Sequence, residues 1–295
     1  MTAPLSDNLR GAAFMTASMA GFAVEDMFLK AAAHQMPLGQ VVLIVGLCGM
    51  AVFSLMARAR GEAIWHRVYL SRPMLIRSGF EVSGRLFYSL AIGLTALSTT
   101  SAILQATPLV VVAAAALIFG ESVGWRRWSA VLVGFAGVMV ILRPGTEGFS
   151  ALSLLAVGGM LGFAGRDLAT RAAPKVLSNR QLGIVGFAML ALAGAVILSV
   201  TGGAVVPGPW GLVLLAGDAV FAIVGYHALT SAMRTGEVSF VTPFRYTRLI
   251  FAMILAVVVF HERPDMATLI GAGLIAASGI YTILRGNRRR LAPAT

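Results

Sequence analysis

Residues Ser98–Glu121 read STTSAILQATPLVVVAAAALIFGE, and this stretch decides the fold. Its first half carries Ser98, Thr99, Thr100, Ser101, Gln105 and Thr107 and ends on Pro108; its second half is apolar up to Gly120-Glu121. A run of about 20 mostly apolar residues crosses a bilayer as a helix. Pro108 removes one helical hydrogen bond and clashes with the turn before it. In a membrane such a kink survives where hydroxyls, neighbouring helices or water satisfy the freed carbonyl. The stretch therefore reads as a kinked, polar-walled side of a permeation path.

Ser239–Glu262, SFVTPFRYTRLIFAMILAVVVFHE, has the same grammar, with a second kink expected at Pro243 beside Thr242. Glu121 and Glu262 lie 141 residues apart, and the same offset carries Gly21-Phe22-Ala23 onto Gly162-Phe163-Ala164. It also carries Asp26 onto Asp167, Lys30 onto Arg171 and Gly84 onto Gly225. Several polar coincidences at one offset point to a duplication, with halves 1–145 and 146–295.

Composition sets the class. The chain is 58% hydrophobic and 12% charged with a mean hydropathy of +0.86, outside the soluble globular range. Its net charge of +11 sits in short arginine clusters between apolar runs, not on one basic face, so no nucleic-acid partner is expected. The single cysteine, Cys48, gives neither a disulfide framework nor a metal site and is expected to pack between helices. The four histidines, His34, His66, His227 and His261, have no metal-ligand spacing, so neither a metal nor a cofactor is expected. Residues 1–33 contain Glu25, Asp26 and Lys30 and are read as a retained first helix, not as a leader.

Apolar runs near 9–33, 38–57, 73–95, 97–119, 125–143, 150–172, 178–201, 209–233, 237–260 and 265–285 make about ten spans. Breakers such as Met36-Pro37-Leu38-Gly39, Arg72-Pro73, Gly120, Pro144-Gly145, Pro174, Pro207-Gly208-Pro209 and Gly236 separate them. With the N-terminus cytoplasmic, fifteen lysines and arginines fall inside and three, Lys30, Arg143 and Arg263, outside. Both termini are then cytoplasmic. Five spans per half is an odd number, so the expected fold is an all-α membrane protein of two inverted five-helix repeats.

Charges inside spans are costly and face a cavity or a partner. Glu25 and Asp26 lie in the first span, Arg77, Glu81, Arg85 and Tyr88 on one face of the third, and Arg166 and Asp167 in the sixth. Asp218, Tyr226 and His227 occupy the eighth, and Phe244, Arg245, Tyr246 and Arg248 the ninth. Part of this set is expected to be structural ion pairing, with Arg77–Glu81 and Glu81–Arg85 at helical spacing. Gly84 and Gly225 are read as widening a pocket or as flexible points, and the other glycines as close-packing positions.

Ten spans, each half ending its fourth in an apolar run plus an acid (Phe119-Gly120-Glu121, Phe260-His261-Glu262), resemble the drug/metabolite transporter superfamily, more narrowly its EamA-type bacterial exporters. The glycines that follow, Gly134, Gly137, Gly271 and Gly279, and Lys30 at the end of the first span fit the same pattern. Phe22-Ala23 stands where the family has a Trp-Gly pair, and His261 where it has a glycine. The resemblance implies a bacterial inner-membrane exporter of amino acids, other metabolites or drugs, with the aromatic-amino-acid exporters of the YddG kind nearest.

A zwitterion needs an anion for its amine, a cation for its carboxylate and a wall for its side chain. Glu81 and Asp218 are the candidates for the amine, and Arg245 or Arg248 for a bidentate hold on the carboxylate. Phe22, Tyr88, Phe163, Tyr226, Phe244 and Tyr246 are candidates for the wall, and Thr99, Ser101, Gln105 and Thr242 for hydrogen bonds beside the kinks. Glu25, Asp26 and His227 are candidates for proton coupling. The partners are a small metabolite and the bilayer; oligomeric state is left open, and a monomer is compatible with the pattern. A multidrug or organic-cation exporter is the alternative. An intramembrane enzyme would need paired catalytic groups that the sequence lacks.

Overall fold

The computed structural model describes residues 5–119, 125–143, 150–171, 176–235 and 241–291. Gly120, Glu121, Pro144, Gly145, Pro174 and Gly236 lie outside them. The described residues are helical, without strands. The helices are α1 (Leu5–Ala33), α2 (Leu38–Arg58), α3 (Arg72–Leu94), α4 (Leu97–Leu104), α5 (Thr107–Phe119) and α6 (Trp125–Leu142). They continue as α7 (Ser153–Arg171), α8 (Asn179–Thr201), α9 (Pro209–Thr235), α10 (Thr247–Phe260) and α11 (Met266–Leu291). Short 3-10 turns at Arg67–Leu70 and Thr242–Tyr246 precede α3 and α10.

Prolines set several starts. Pro37 precedes α2 in an extended conformation, Pro73 occupies the first turn of α3, and α9 begins at Pro209. A proline costs least where its missing N–H would have had no helical partner. Ser178 and Gln181 form a reciprocal capping box on α8.

Among the described residues five segments are long and apolar enough to cross a bilayer: Ser6–Ala33, Leu38–Arg58, Leu97–Ile118, Asn179–Thr201 and Pro209–Ala232. Leu117 (76% exposed) and Val200 (82%) turn outward, as lipid-facing side chains do. Helix α3 has the length but carries Arg77, Glu81 and Arg85 across its middle. Cys48 is exposed on α2, not packed between helices as expected.

The span Leu97–Ile118 is two helices. The break falls at Gln105-Ala106, and Pro108 is the second residue of α5, so the chain restarts ahead of the proline instead of bending around it. Proline at 108 leaves the Leu104 carbonyl without its helical donor. The Thr107 hydroxyl donates to that oxygen at 2.6 Å, which removes most of the cost. Thr242-Pro243 lies 135 residues on, not 141, and sits in a 3-10 turn. The two proline steps are therefore not structural equivalents.

The chain divides into two compact units that do not coincide with the sequence halves. One comprises Met1–Val24, Ala96–Ala151 and Val224–Thr295; the other comprises Glu25–Thr95 and Leu152–Ile223. In the first, α6 packs on α11 through Gly137 and Gly271, where an added Cβ would fall 2.7 Å and 2.5 Å from the facing backbone oxygen. In the second, α2 packs on α8 and α3 on α7. A Cβ on Gly46 would lie 2.4 Å from the Ala191 nitrogen, and one on Gly162 would lie 2.4 Å from Gly84 Cα. Small residues let membrane helices approach this closely and gain dispersion contacts that longer side chains would forbid.

The duplication is visible at single contacts. Gly84 receives the Phe163 ring in one unit, and Gly225 receives the Phe22 ring in the other. These residues are equivalent at the 141-residue offset, with donor and acceptor halves exchanged. Gly84 and Gly225 are thus seats for aromatic rings, which replaces the pocket-widening role expected for them.

Candidate functional site

The expected site residues fall into both compact units. Residues 25–95 and 152–223 hold the expected acidic site residues Glu25, Asp26, Glu81 and Asp218. Glu81 on α3 is 2% exposed and is engaged by three guanidiniums: Arg77 at 3.3 Å, Arg85 at 3.5 Å and Arg166 at 3.2 Å. Helical spacing brings the first two, and the glycine contact between α3 and α7 brings the third. Arg166 also pairs with Asp167 at 2.8 Å, and Arg85 lies 3.8 Å from Glu25. The ring of Phe163 packs under both Arg166 (4.9 Å) and Arg85 (5.7 Å), in cation–π range, and meets Tyr88 edge-on at 5.7 Å.

Beside this ladder lies a recess lined by Glu25, Asp26, Leu29, Val42, Val45, Arg85, Tyr88, Ser89, Leu190 and Asp218. The Tyr88 hydroxyl donates to Asp26 Oδ2 at 2.9 Å. Asp218 is 2% exposed, and its Oδ2 has no hydrogen-bond partner among the described residues. The recess therefore carries three carboxylates and one guanidinium around a cavity of about 20 Å³. A water molecule fits such a space. Among the described residues no three His, Cys, Asp or Glu side chains gather as metal ligands.

The sequence proposed Glu81 and Asp218 alike for an amine. Their surroundings differ: Glu81 is committed to its arginines, whereas Asp218 has an oxygen to spare. Arg85, Ser89 and the apolar residues of α2 and α8 belong to the recess without having been singled out as site residues. The i,i+4 spacing of Arg85 to Glu81 marked that arginine; nothing in the sequence marked Val42, Val45 or Leu190.

The other unit holds the remaining candidates. Phe22 (9% exposed) packs with Met15, Met19, Ala232 and Val241, and Tyr226 and Phe244 flank that cluster. The Arg248 guanidinium lies 5.4 Å from the Phe22 ring centre. Gln105 donates to the Arg245 carbonyl at 3.1 Å, tying the α4–α5 break to the turn before α10. Ser101 and Tyr246 are buried, and their hydroxyls have no partner among the described residues. Thr99 is half-buried and His227 is exposed on α9. The side chains of Thr242 and Pro243 lie outside the described residues.

Glu262 performs a different task in the same unit. Its carboxylate accepts from Leu97 N (2.8 Å), Ser98 N (3.1 Å) and Ser98 Oγ (2.8 Å), and so caps the N-terminus of α4. His261, in the left-handed conformation at φ 53°, turns the chain so that Glu262 can reach it.

Buried charge on long apolar helices, with glycine-mediated packing repeated in two halves, defines a multi-pass membrane protein that moves small solutes. The EamA-like transporter family matches residues 9–143 and again 151–285, and the chain belongs to that family. It is a transporter of small metabolites, not an enzyme. Curated relatives include the S-adenosylmethionine uptake transporter of Rickettsia prowazekii, 26% identical over 220 residues (72% of each chain). The riboflavin transporter of Rhizobium johnstonii is 27% identical over 194 residues, 65% of this chain and 64% of that one. The pseudopaline exporter CntI of Pseudomonas aeruginosa is 27% identical over 266 residues, 88% of this chain and 90% of that one. The aromatic-amino-acid exporters suggested by resemblance are not among these relatives.

Proposed function

We propose that the protein exports amino acids and related amine-bearing zwitterions across the bacterial inner membrane, with both termini in the cytoplasm. One observation carries this reading: the buried, open-valenced Asp218 carboxylate beside Glu25, Asp26 and a single arginine, Arg85. An ammonium group satisfies Asp218, and Arg85 offers a carboxylate the bidentate partner that the sequence sought in Arg245 or Arg248. Tyr88, edge-on to Phe163, supplies an aromatic wall. The excess of carboxylates suits solutes whose cationic groups outnumber their acids. Transport of S-adenosylmethionine by one relative is in keeping with that preference, and riboflavin transport by another shows how far substrates diverge within the family. The recess has room for little more than a water, so a metabolite enters only as the helices around it separate. The fifteen-to-three distribution of lysine and arginine supports the orientation.

The same excess of carboxylates favours a second reading, export of organic cations. A counterflow panel in proteoliposomes separates the two, using L-lysine, L-phenylalanine, S-adenosylmethionine, riboflavin and tetraphenylphosphonium. Exchange by the amino-acid-type solutes, abolished by Asp218→Asn, is expected. Exchange by tetraphenylphosphonium alone would overturn the zwitterion reading, and undiminished exchange in Asp218→Asn would remove the recess from it.

A further inference from the structure

We propose that Asp218 is the coupling group of this transporter: it holds a proton while the recess is empty and releases it when a substrate amine binds. The inference rests on the reading that the recess receives an amine, and it assigns the proton to a residue that the sequence had marked only for substrate.

Geometry limits what can neutralise Asp218. The residue is 2% exposed on α9, with Oδ2 unpartnered. A carboxylate taken out of water without a hydrogen-bonded counter-charge costs several kcal/mol. The charged and titratable groups that share its recess are Glu25 and Asp26 from α1 and Arg85 and Tyr88 from α3; α2 and α8 contribute only Val42, Val45 and Leu190. Among the described residues Arg85 is the sole cation in this lining, and it lies within ion-pair distance of Glu25 and Glu81. Asp26 receives the Tyr88 hydroxyl. A metal ion is a poor substitute, because the carboxylates do not converge as a ligand set among the described residues. A proton needs only one oxygen.

The exchange balances. In the empty recess Asp218 is a neutral acid. An arriving ammonium group displaces the proton: the Asp218 O–H bond breaks, the proton leaves on water, and the carboxylate accepts N–H from the ammonium. When the amine departs on the other side, a proton from that side re-forms the O–H bond. One carboxylate serving two cations in turn moves a proton against each amine.

The test is proton release on binding. Purified protein in detergent, weakly buffered near neutral pH with an indicator dye, is mixed with saturating S-adenosylmethionine or L-lysine. About one proton per bound molecule is expected, together with an apparent Kd that rises about tenfold for each pH unit of acidification below the Asp218 titration. Asp218→Glu, which keeps a titratable acid, retains the release. Glu25→Gln and Asp26→Asn retain it wherever they bind. Binding without proton release in the unaltered protein overturns the coupling role and leaves the substrate reading intact. Release that disappears in Glu25→Gln and persists in Asp218→Asn moves the proton to Glu25 and overturns the assignment. Failure of both amines to bind overturns the substrate reading and this inference with it.

Discussion

Gly162→Ala tests the helix contact that assembles the charge ladder. The new Cβ would lie 2.4 Å from Gly84 Cα, 2.5 Å from Gly84 N and 3.2 Å from the Phe80 carbonyl oxygen. All three are backbone atoms, so no rotamer change relieves the overlap. Reaching ordinary contact requires α3 and α7 to separate by about 1 Å. Overpacking of this kind costs about 1–3 kcal/mol. Against it stands a gain of roughly 0.5–1 kcal/mol from replacing a helical glycine by alanine. Gly79→Ala isolates that gain: Gly79 is on α3, and a Cβ there meets nothing within 4 Å. Reversible unfolding in mixed detergent micelles should therefore place Gly162→Ala about 1–3 kcal/mol below Gly79→Ala. The same displacement would stretch the 3.2 Å Arg166–Glu81 pair past ion-pair distance, so the variant should also bind substrate more weakly. Equal stability of the two variants would refute the close approach of α3 to α7.

Other perturbations act on single interactions. Glu81→Gln leaves Arg77, Arg85 and Arg166 facing a neutral amide and should cost about 3–5 kcal/mol in the same unfolding assay; a loss below 1 kcal/mol would mean the arginines are compensated elsewhere. Thr107→Val removes the hydroxyl that serves the Leu104 carbonyl and should cost about 1–3 kcal/mol. Pro108→Ala, which restores a backbone donor, should rescue most of it, and additive losses would contradict the account. Glu262→Ala strips the α4 cap and should cost about 1–2 kcal/mol, with Glu262→Asp intermediate. At Asp265, the Thr268 backbone N–H first, and then Arg143, hold the carboxyl below the usual carboxylate range. A depressed value in the folded state stabilises above the unfolded value and is lost as pH falls through the folded one. Asp265→Asn should accordingly be destabilised most near neutral pH and match the unaltered protein in acid, and a pH-independent difference would refute the ion pair.

Much of the fold was legible because bilayer spans announce themselves by length and hydropathy. Within the described residues the runs read from the sequence coincide with the helices or helix pairs, and prolines such as Pro37, Pro73 and Pro209 marked starts. Proline position proved ambiguous at Pro108. A proline in an apolar run signals a kink, but the chain here restarts one residue earlier, at Thr107, and uses the proline as a first-turn residue. The site was legible as a list of misplaced charges, and their mates were not. Glu81 and Asp218 look alike in sequence, and only the α3–α7 contact, which brings Arg166 to Glu81, separates a satisfied acid from an open one. Glu262 was recognised through its place in a motif, and its capping of α4, 164 residues away in sequence, needed the fold.

The duplication explains why Asp218 is the carboxylate left open. At the 141-residue offset Arg77 is replaced by Asp218, and Glu25 by Arg166, so equivalent positions carry opposite signs. In the first half Arg77 has its partner one helical turn on, at Glu81. The equivalent of Glu81 in the second half is Ala222, 1% exposed. Had the copies stayed chemically complementary, a cation at 222 would close the pair with Asp218 on α9, as Glu81 closes it with Arg77 on α3. Alanine at 222 leaves Asp218 with no same-helix partner at that spacing. The ladder and the recess together then carry five acids (Glu25, Asp26, Glu81, Asp167, Asp218) and three arginines (Arg77, Arg85, Arg166). A sequence selected only for stability would fill such a gap, since an apolar residue at 218 would cost less than a lone buried acid. Retaining the acid makes sense when its counter-charge arrives from outside and leaves again.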